Sequence, residues 1–374
     1  IVFSGTGTAG VYHAGVLRAL HEAGVKIDVA AGRGIGAISA LFAAVDGGQR
    51  LWDDKGYWSD AGVRRFYGWS PAIRFVAAIL LVSVAIVVLP IAAVALGAIV
   101  FPIDFVLKIV GLSTGDGLVG VYLGLADRLF APTALPTWLP RLVLLVLGRG
   151  VLALAASAYM PRHGRRTRRG RWWRLLRPPL TPDLAVAHTW TVLWDLMRGA
   201  AQLTSPTPLE LARRYTEMLS ENIGQPGFRE LLISVHDVDA HRDLLFALVA
   251  PGRRTALLRR PTNDEADARH AEVLDLAGAS RDHLADAIAG ALAIPIATDF
   301  HRLHFAAESY WRGESHRVAD RPAGALRLIG ELADLDVEQI ILVSAAPETP
   351  GPHALTPPRL DGRTIDWSAL EMQP

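Results

Sequence analysis

The sequence predicts an α/β protein whose sheet-forming chain is interrupted by an apolar insertion, and three observations predict it. The first 45 residues alternate short apolar runs, glycine-rich turns and helical spacing. Phe75 to Ile103 then passes without a single charged side chain. After Pro178-Pro179 the chain returns to amphipathic helices and alternating strands.

Ile1-Val2-Phe3 reads as a buried strand entering a glycine-rich turn, Ser4 to Gly10. Val11 to Ala23 carries Val16, Leu17 and Leu20 at helical spacing, and Gly24 stops it. Val25 to Ala31 reads as the next strand, Gly32 to Gly36 as a second glycine turn, and Ala37 to Val45 as the next helix. This order opens a parallel sheet. Further on, Pro206 to Asn222 is an amphipathic helix, and Glu230–Val238 with Asp243–Val249 a β-hairpin. Arg281 to Leu292 is a helix, Val337 to Ser344 a late buried strand, and the chain from Pro347 on a proline-rich polar tail.

As a helix, the uncharged run would be about 43 Å long, against a bilayer core of roughly 30 Å. Pro90 near its middle predicts a kink. The rival reading is a buried helix of a large globular core. A second apolar stretch, Leu142 to Tyr159, is broken by Arg149 and reads as a second span or as a re-entrant or interfacial segment. Phe105 to Leu129 between them is a short outer or interfacial segment. Arg64, Arg65 and Arg74 precede the pair, and an arginine run from Arg162 to Arg177 follows it. Cytoplasmic flanks are enriched in Lys and Arg, so both ends are expected in the cytoplasm. The α/β halves then lie on one side and can form one domain. Arg165, Arg166, Arg168 and Arg169, near Trp172-Trp173, are expected to meet anionic lipid headgroups. The plain alternative is a topology determinant. The expected divisions are 1–70 for the first part of the core, 71–180 for the membrane insertion, 181–346 for the second part, and 347–374 for the tail.

Composition agrees: 51% of residues are hydrophobic and 20% charged, which leans toward a chain partly in lipid. The net charge of +1 gives no nucleic-acid signature, and none is expected as a partner. The absence of cysteine excludes disulfides, thiolate metal sites and cysteine nucleophiles. His236, Asp237, Asp239, His241 and Asp243 have some metal-ligand character but fall on the hairpin tip, so neither metal nor cofactor is expected. With only three lysines among the basic residues, the chain suits a GC-rich bacterial genome, and the expected location is the bacterial inner membrane. It begins at Ile1 without a methionine, which leaves an upstream targeting segment open.

Gly32-Arg33-Gly34-Ile35-Gly36 joins a strand to a helix in the layout of a G-x-S-x-G nucleophile elbow. Here the frame is G-x-G-x-G. Gly34 stands where the serine belongs and carries no hydroxyl to attack an ester.

The first turn, from Phe3-Ser4-Gly5-Thr6-Gly7-Thr8-Ala9-Gly10 into Ala14-Gly15-Val16-Leu17, resembles the start of the patatin-like phospholipase family. That family opens with a strand, a G-G-G-x-K/R-G oxyanion loop and an A-G-V-L helix. Gly5, Gly7 and Gly10 keep three of the glycines, Thr6 replaces one, and Ala9 replaces the basic residue. Arg281–Pro295 and Leu326–Ser344 resemble later parts of the family. The resemblance implies a three-layer α/β/α sandwich with the apolar hairpin inserted, and a serine lipid acyl hydrolase using a Ser–Asp dyad. Its aspartate motif, D-G-G/A, falls on Ala319-Asp320-Arg321. Ungapped, Ala319 takes the place of the aspartate; a one-residue shift restores Asp320. The expectation is therefore a non-hydrolytic membrane protein that binds lipid or serves as a structural or regulatory subunit beside other membrane proteins. The alternative is an acyl hydrolase whose nucleophile has moved, to Ser39 or Ser4, or whose serine was mutated away. The old site is expected to survive as a shape, with the Gly5–Gly10 loop beside Gly34 and the space above Gly34 slightly enlarged.

Overall fold

The computed structural model describes residues 1–54, 56–112, 115, 117–134, 137–138, 140–145, 148–149, 152, 178–258, 271–278, 280–335 and 337–344. They fall into two units, Ile1–Gly68 with Pro178–Pro374, and Trp69–Arg177. The chain runs β1 (Val2–Gly5), α1 (Gly10–Glu22), β2 (Val29–Gly34), α2 (Gly36–Ala44), α3 (Pro71–Ile109), α4 (Gly117–Phe130) and α5 (Asp183–Arg198). It continues through α6 (Pro208–Asn222), β3 (Glu230–Asp237), β4 (Arg242–Leu248), α7 (Pro251–Leu258), β5 (Val273–Asp275) and α8 (Leu284–Leu292). The last elements are β6 (His301–His304), β7 (Ser315–Ala319), α9 (Gly324–Asp334) and β8 (Leu342–Ser344).

These eight strands join one sheet in the order β8-β1-β2-β3-β4-β5, with β7 pairing β3 and β6 pairing β7, and the two-residue strands Gly68–Trp69 and Leu180–Thr181 lie outside it. Strands β8, β1, β2 and β3 are parallel. The β3–β4 hairpin and the β3–β7 and β7–β6 pairs are antiparallel, so the sheet is mixed.

Alternation along the strands sorts side chains into two layers. Phe3, Ala30, Leu231, Ile233, Leu244 and Phe246 pack with α1, α2, α5, α6 and α8. Val2, Ala31, Leu232, Leu245 and Ala247 face the other way, onto Leu257 of α7 and Leu328, Ile329 and Leu332 of α9. The first unit is thus an α/β/α sandwich. On the larger face the Tyr215 hydroxyl donates to the Leu41 carbonyl at 2.6 Å and ties α6 to α2.

Several boundaries differ from the expected ones for local reasons. The second strand starts at Val29, not Val25, because Gly24 at φ 67° and Val25 turn their N–H groups back on His21 and Leu20 and close α1. The late strand shrinks to Leu342–Ser344 at the sheet edge, while Val337 and Ile340 serve as packing for α9. The insertion helix is longer than its uncharged run and takes in Pro90, Pro102, Asp104 and Lys108. Residues 105–109, expected outside the helix, complete it.

Within the second unit, α4 lies antiparallel against α3. Its Tyr122 hydroxyl donates to the Ala93 carbonyl at 2.8 Å, and its Leu118 N–H donates to Asp104 at 2.8 Å. Two of the three charges of α3 satisfy each other, Asp104 to Lys108 at 2.9 Å, and the third, Arg74 in its first turn, donates to the Trp69 carbonyl at 2.8 Å. Most of the second apolar stretch, the arginine run with Arg165, Arg166, Arg168 and Arg169, and the tail lie outside the described residues.

Candidate active site

The site is built where β1 and β2 end side by side. Their register pairs Gly5 with Gly34 and Ser4 with Arg33. After Gly5 the loop passes Thr6, makes one 3-10 turn at Gly7–Ala9, and enters α1 at Gly10. The loop expected beside Gly34 therefore starts there. Gly34 has φ 56°, the left-handed region that a sharp strand-to-helix turn uses and that glycine enters without steric cost. Close approach also needs small residues here, since a Cβ on Gly32 would run into the Gly36 carbonyl, and one on Gly36 into the Phe3 carbonyl.

The space above Gly34 is not enlarged. A Cβ built on Gly34 would collide with the Gly5 carbonyl oxygen and stand 2.9 Å from Oδ2 of Asp320. The carbonyl is held there because the Ile35 N–H donates to it at 2.9 Å. In a nucleophile elbow the N–H after the nucleophile is an oxyanion donor. Here that donor is spent inside the protein. Without a side chain at 34 the β1 end closes onto the turn.

Below this contact lies a polar row. Two residues beyond the apolar Val2, Ala31 and Leu232, and hence on the same sheet face, come Ser4, Arg33 and Ser234, aligned across three parallel strands. Arg33 donates from Nε to Ser4 Oγ at 2.9 Å and from Nη1 to both Asp320 oxygens at 3.0 and 3.2 Å. The side chains of Arg33 and Asp320 are 7% and 2% exposed, so this is a buried ion pair. The start of α9 roofs the row: a Cβ on Gly324 would come within 2.9 Å of Ser234 Oγ.

Asp320, not Ala319, faces the elbow. Ala319 ends β7 opposite His236 with its side chain in the core, and one residue on, the Asp320 N–H donates to the Ala293 carbonyl at 2.8 Å. Strand alternation explains the shift, because consecutive residues point to opposite faces. Burial pushes the Asp320 carboxyl up to about 6, against the pull of Arg33 and of the Arg321 and Gly34 N–H groups. At neutral pH it is an ionised carboxylate committed to Arg33.

His13 and Ser39 form a second buried pair under the loop. His13 Nε2 donates to the Ser4 carbonyl at 3.1 Å, and Nδ1, 3.3 Å from Ser39 Oγ, accepts from that hydroxyl. Burial pushes the imidazole down to about 4, with Arg33 adding to the effect against the Ser4 bond, so the ring is neutral. Both side chains are wholly buried. The Ser39 hydroxyl therefore has no solvent exposure and is bonded within the core. The hairpin cluster is likewise engaged internally. Asp237 accepts from the Asp239 and Ala240 N–H groups and pairs with His316, His236 meets Asp243 at 2.7 Å, and Asp239 binds Arg317. Among the described residues no group of three or more His, Asp or Glu side chains is arranged to hold a metal.

Sequence reasoning missed Arg33. Its signal was a lone charge inside an otherwise apolar strand, which folding buries only with a partner.

A sequence profile for a family described as Patatin-like phospholipase matches residues 1–320. The chain belongs to the patatin-like phospholipase family. No match to a solved structure was found. The patatin-like match runs from the first strand through Asp320, so it spans both halves of the site just described.

Removing one partner of a buried ion pair strands the other. Asp320→Ala is expected to destabilise the fold by about 3–5 kcal/mol in denaturant melts, and the volume-matched double change Arg33→Met with Asp320→Leu by clearly less. Equal losses in the two proteins would mean that the pair is not the constraint described.

Proposed function

We propose that this patatin-like chain is a membrane-anchored, non-hydrolytic protein that binds lipid or acts as a structural or regulatory subunit of a membrane assembly. The observation that carries the reading is Gly34 with the Gly5 carbonyl against it, where a serine side chain would have to stand. Three further features support it. The Ile35 N–H is bonded to Gly5, Asp320 is held by Arg33, and Ser39 is buried against His13. Covalent acyl transfer needs an exposed hydroxyl, a base able to take its proton, and free donors for the developing oxyanion. Here the elbow carries no hydroxyl, Asp320 is taken up by Arg33, and the Ile35 N–H is bonded to the Gly5 carbonyl.

The membrane part of the reading rests on α3. Val88–Ile109 is long and apolar enough to cross a bilayer, and Ile91, Val94, Ile99 and Phe105 along it are exposed. Its chemistry supports the reading: Asp104 is bonded to Lys108 and to the Leu118 N–H, so its charge is satisfied as lipid demands. The fourteen-residue α4 is too short to span by itself, at about 21 Å. With the second apolar stretch, α3 makes the proposed hairpin. The arginines on both flanks favour ends in the bacterial cytoplasm, where Arg165, Arg166, Arg168 and Arg169 meet anionic headgroups.

The purified chain is expected to show no esterase or phospholipase turnover above background and no labelling by a serine-directed fluorophosphonate. Labelling that Ser39→Ala or Ser4→Ala abolishes would replace this reading with that of a hydrolase with a relocated nucleophile.

Topology has its own test, because the chain has no native cysteine. Arg64→Cys and Arg168→Cys should both react with an impermeant maleimide from the cytoplasmic side alone. Reaction of the two from opposite sides would refute the hairpin.

A further inference from the structure

The chain leaves the α/β unit after Gly68 and re-enters it at Pro178. Both crossings are stitched to one short segment. The Tyr67 hydroxyl donates to the Leu292 carbonyl at 3.2 Å, and the Leu180 N–H donates to the Ala297 carbonyl at 2.9 Å, with Leu180 bridged to Thr298. Between the stitches lie Ala293, whose carbonyl holds the Asp320 N–H, and Ile296.

Ile296 is unusual twice over. Its φ is 71°, a region that a β-branched residue enters only at a steric cost, and its side chain is 75% exposed. In water an isoleucine so placed gains nothing for that cost. Tyr67, on the other side of the stitch, is also left-handed at φ 55°. Leu184, four residues past Leu180, is exposed, as are Arg64 and Arg65 just before Tyr67. Helix α3 starts at Pro71, four residues past Tyr67 in the chain. An apolar side chain held outward, on a segment joined to both chain crossings of the apolar insertion, one of them preceded by two exposed arginines, matches an anionic bilayer surface.

We propose that Leu292–Thr298 is the bilayer-contacting edge of the α/β unit, with Ile296 as its inserted side chain and anionic lipid as its partner. This rests on the membrane reading above and adds where on the α/β unit the lipid lies: on the segment whose Ala293 carbonyl, three residues before Ile296, holds the Asp320 N–H. The opposite end of the sheet, around Gln225, stays in water.

The test uses the full-length chain in vesicles containing phosphatidylglycerol. A polarity-sensitive fluorophore is placed singly by Ile296→Cys, Gln225→Cys or Ile99→Cys. The Ile296→Cys probe should lose most of its emission to lipid nitroxides at shallow depth. The Gln225→Cys probe should respond only to a water-soluble quencher, and the Ile99→Cys probe to deep nitroxides. An Ile99→Cys probe quenched by lipid beside an Ile296→Cys probe quenched only from water overturns this inference and leaves the membrane reading standing. An unquenched Ile99→Cys probe removes the membrane reading and the inference with it. An Ile296→Cys probe that is blue-shifted but unreached by lipid nitroxides means that a protein covers the edge, and also overturns the proposal.

Discussion

A guanidinium and a carboxylate, both almost out of water, hold the centre of this protein together. Taking either charge into the core alone would cost several kcal/mol, so each is there because the other is. Their neighbours follow from that requirement. Ser4 gives Arg33 an acceptor, the Gly34 and Arg321 N–H groups give Asp320 donors, and the Ala293 carbonyl fixes the backbone from which Asp320 extends. Gly324 allows α9 to start directly over the row. The elbow is thereby clamped between β1, β7 and α9 by polar contacts.

Absence of a side chain at 34 and closure of the site are one event in physical terms. A side chain there would keep the Gly5 carbonyl away; with hydrogen in its place, the carbonyl lies against the turn and takes the Ile35 N–H. The aspartate that the family resemblance would set to work as a base is instead an ion-pair partner, and its raised pKa comes first from burial. In the proposed reading, chemistry on this patatin-like scaffold has given way to packing.

Much of the architecture was legible because it rests on short-range pattern. The two glycine turns, the helix after each and the hairpin from Glu230 all follow from periodicity and turn chemistry, and the first two carried the family resemblance. What stayed illegible depends on contacts far apart in sequence. Arg33 and Asp320 are separated by 287 positions, and no local pattern links them. Whether Ala319 or Asp320 faces the elbow turns on a single-residue register, which a motif alignment across an R-P interruption does not set. Strands β6 and β7 were missed because His301–His304 and Ser315–Ala319 are short and polar, and their pairing is decided by the sheet they join. Closure of Gly5 onto Gly34 was beyond any reading of residue types, since it follows from a missing Cβ.

In the proposed reading, more than one atom separates this site from a working one. Fluorophosphonate labelling of the Gly34→Ser variant tests that most directly, with its thermal melt and circular dichroism followed to confirm a folded chain. The expected result is a folded but less stable protein that stays unlabelled, because the new side chain meets the Gly5 carbonyl, finds the Ile35 N–H occupied and has Asp320 paired to Arg33. A folded Gly34→Ser protein that labels covalently at the introduced hydroxyl, at a rate well above the native chain, would contradict it.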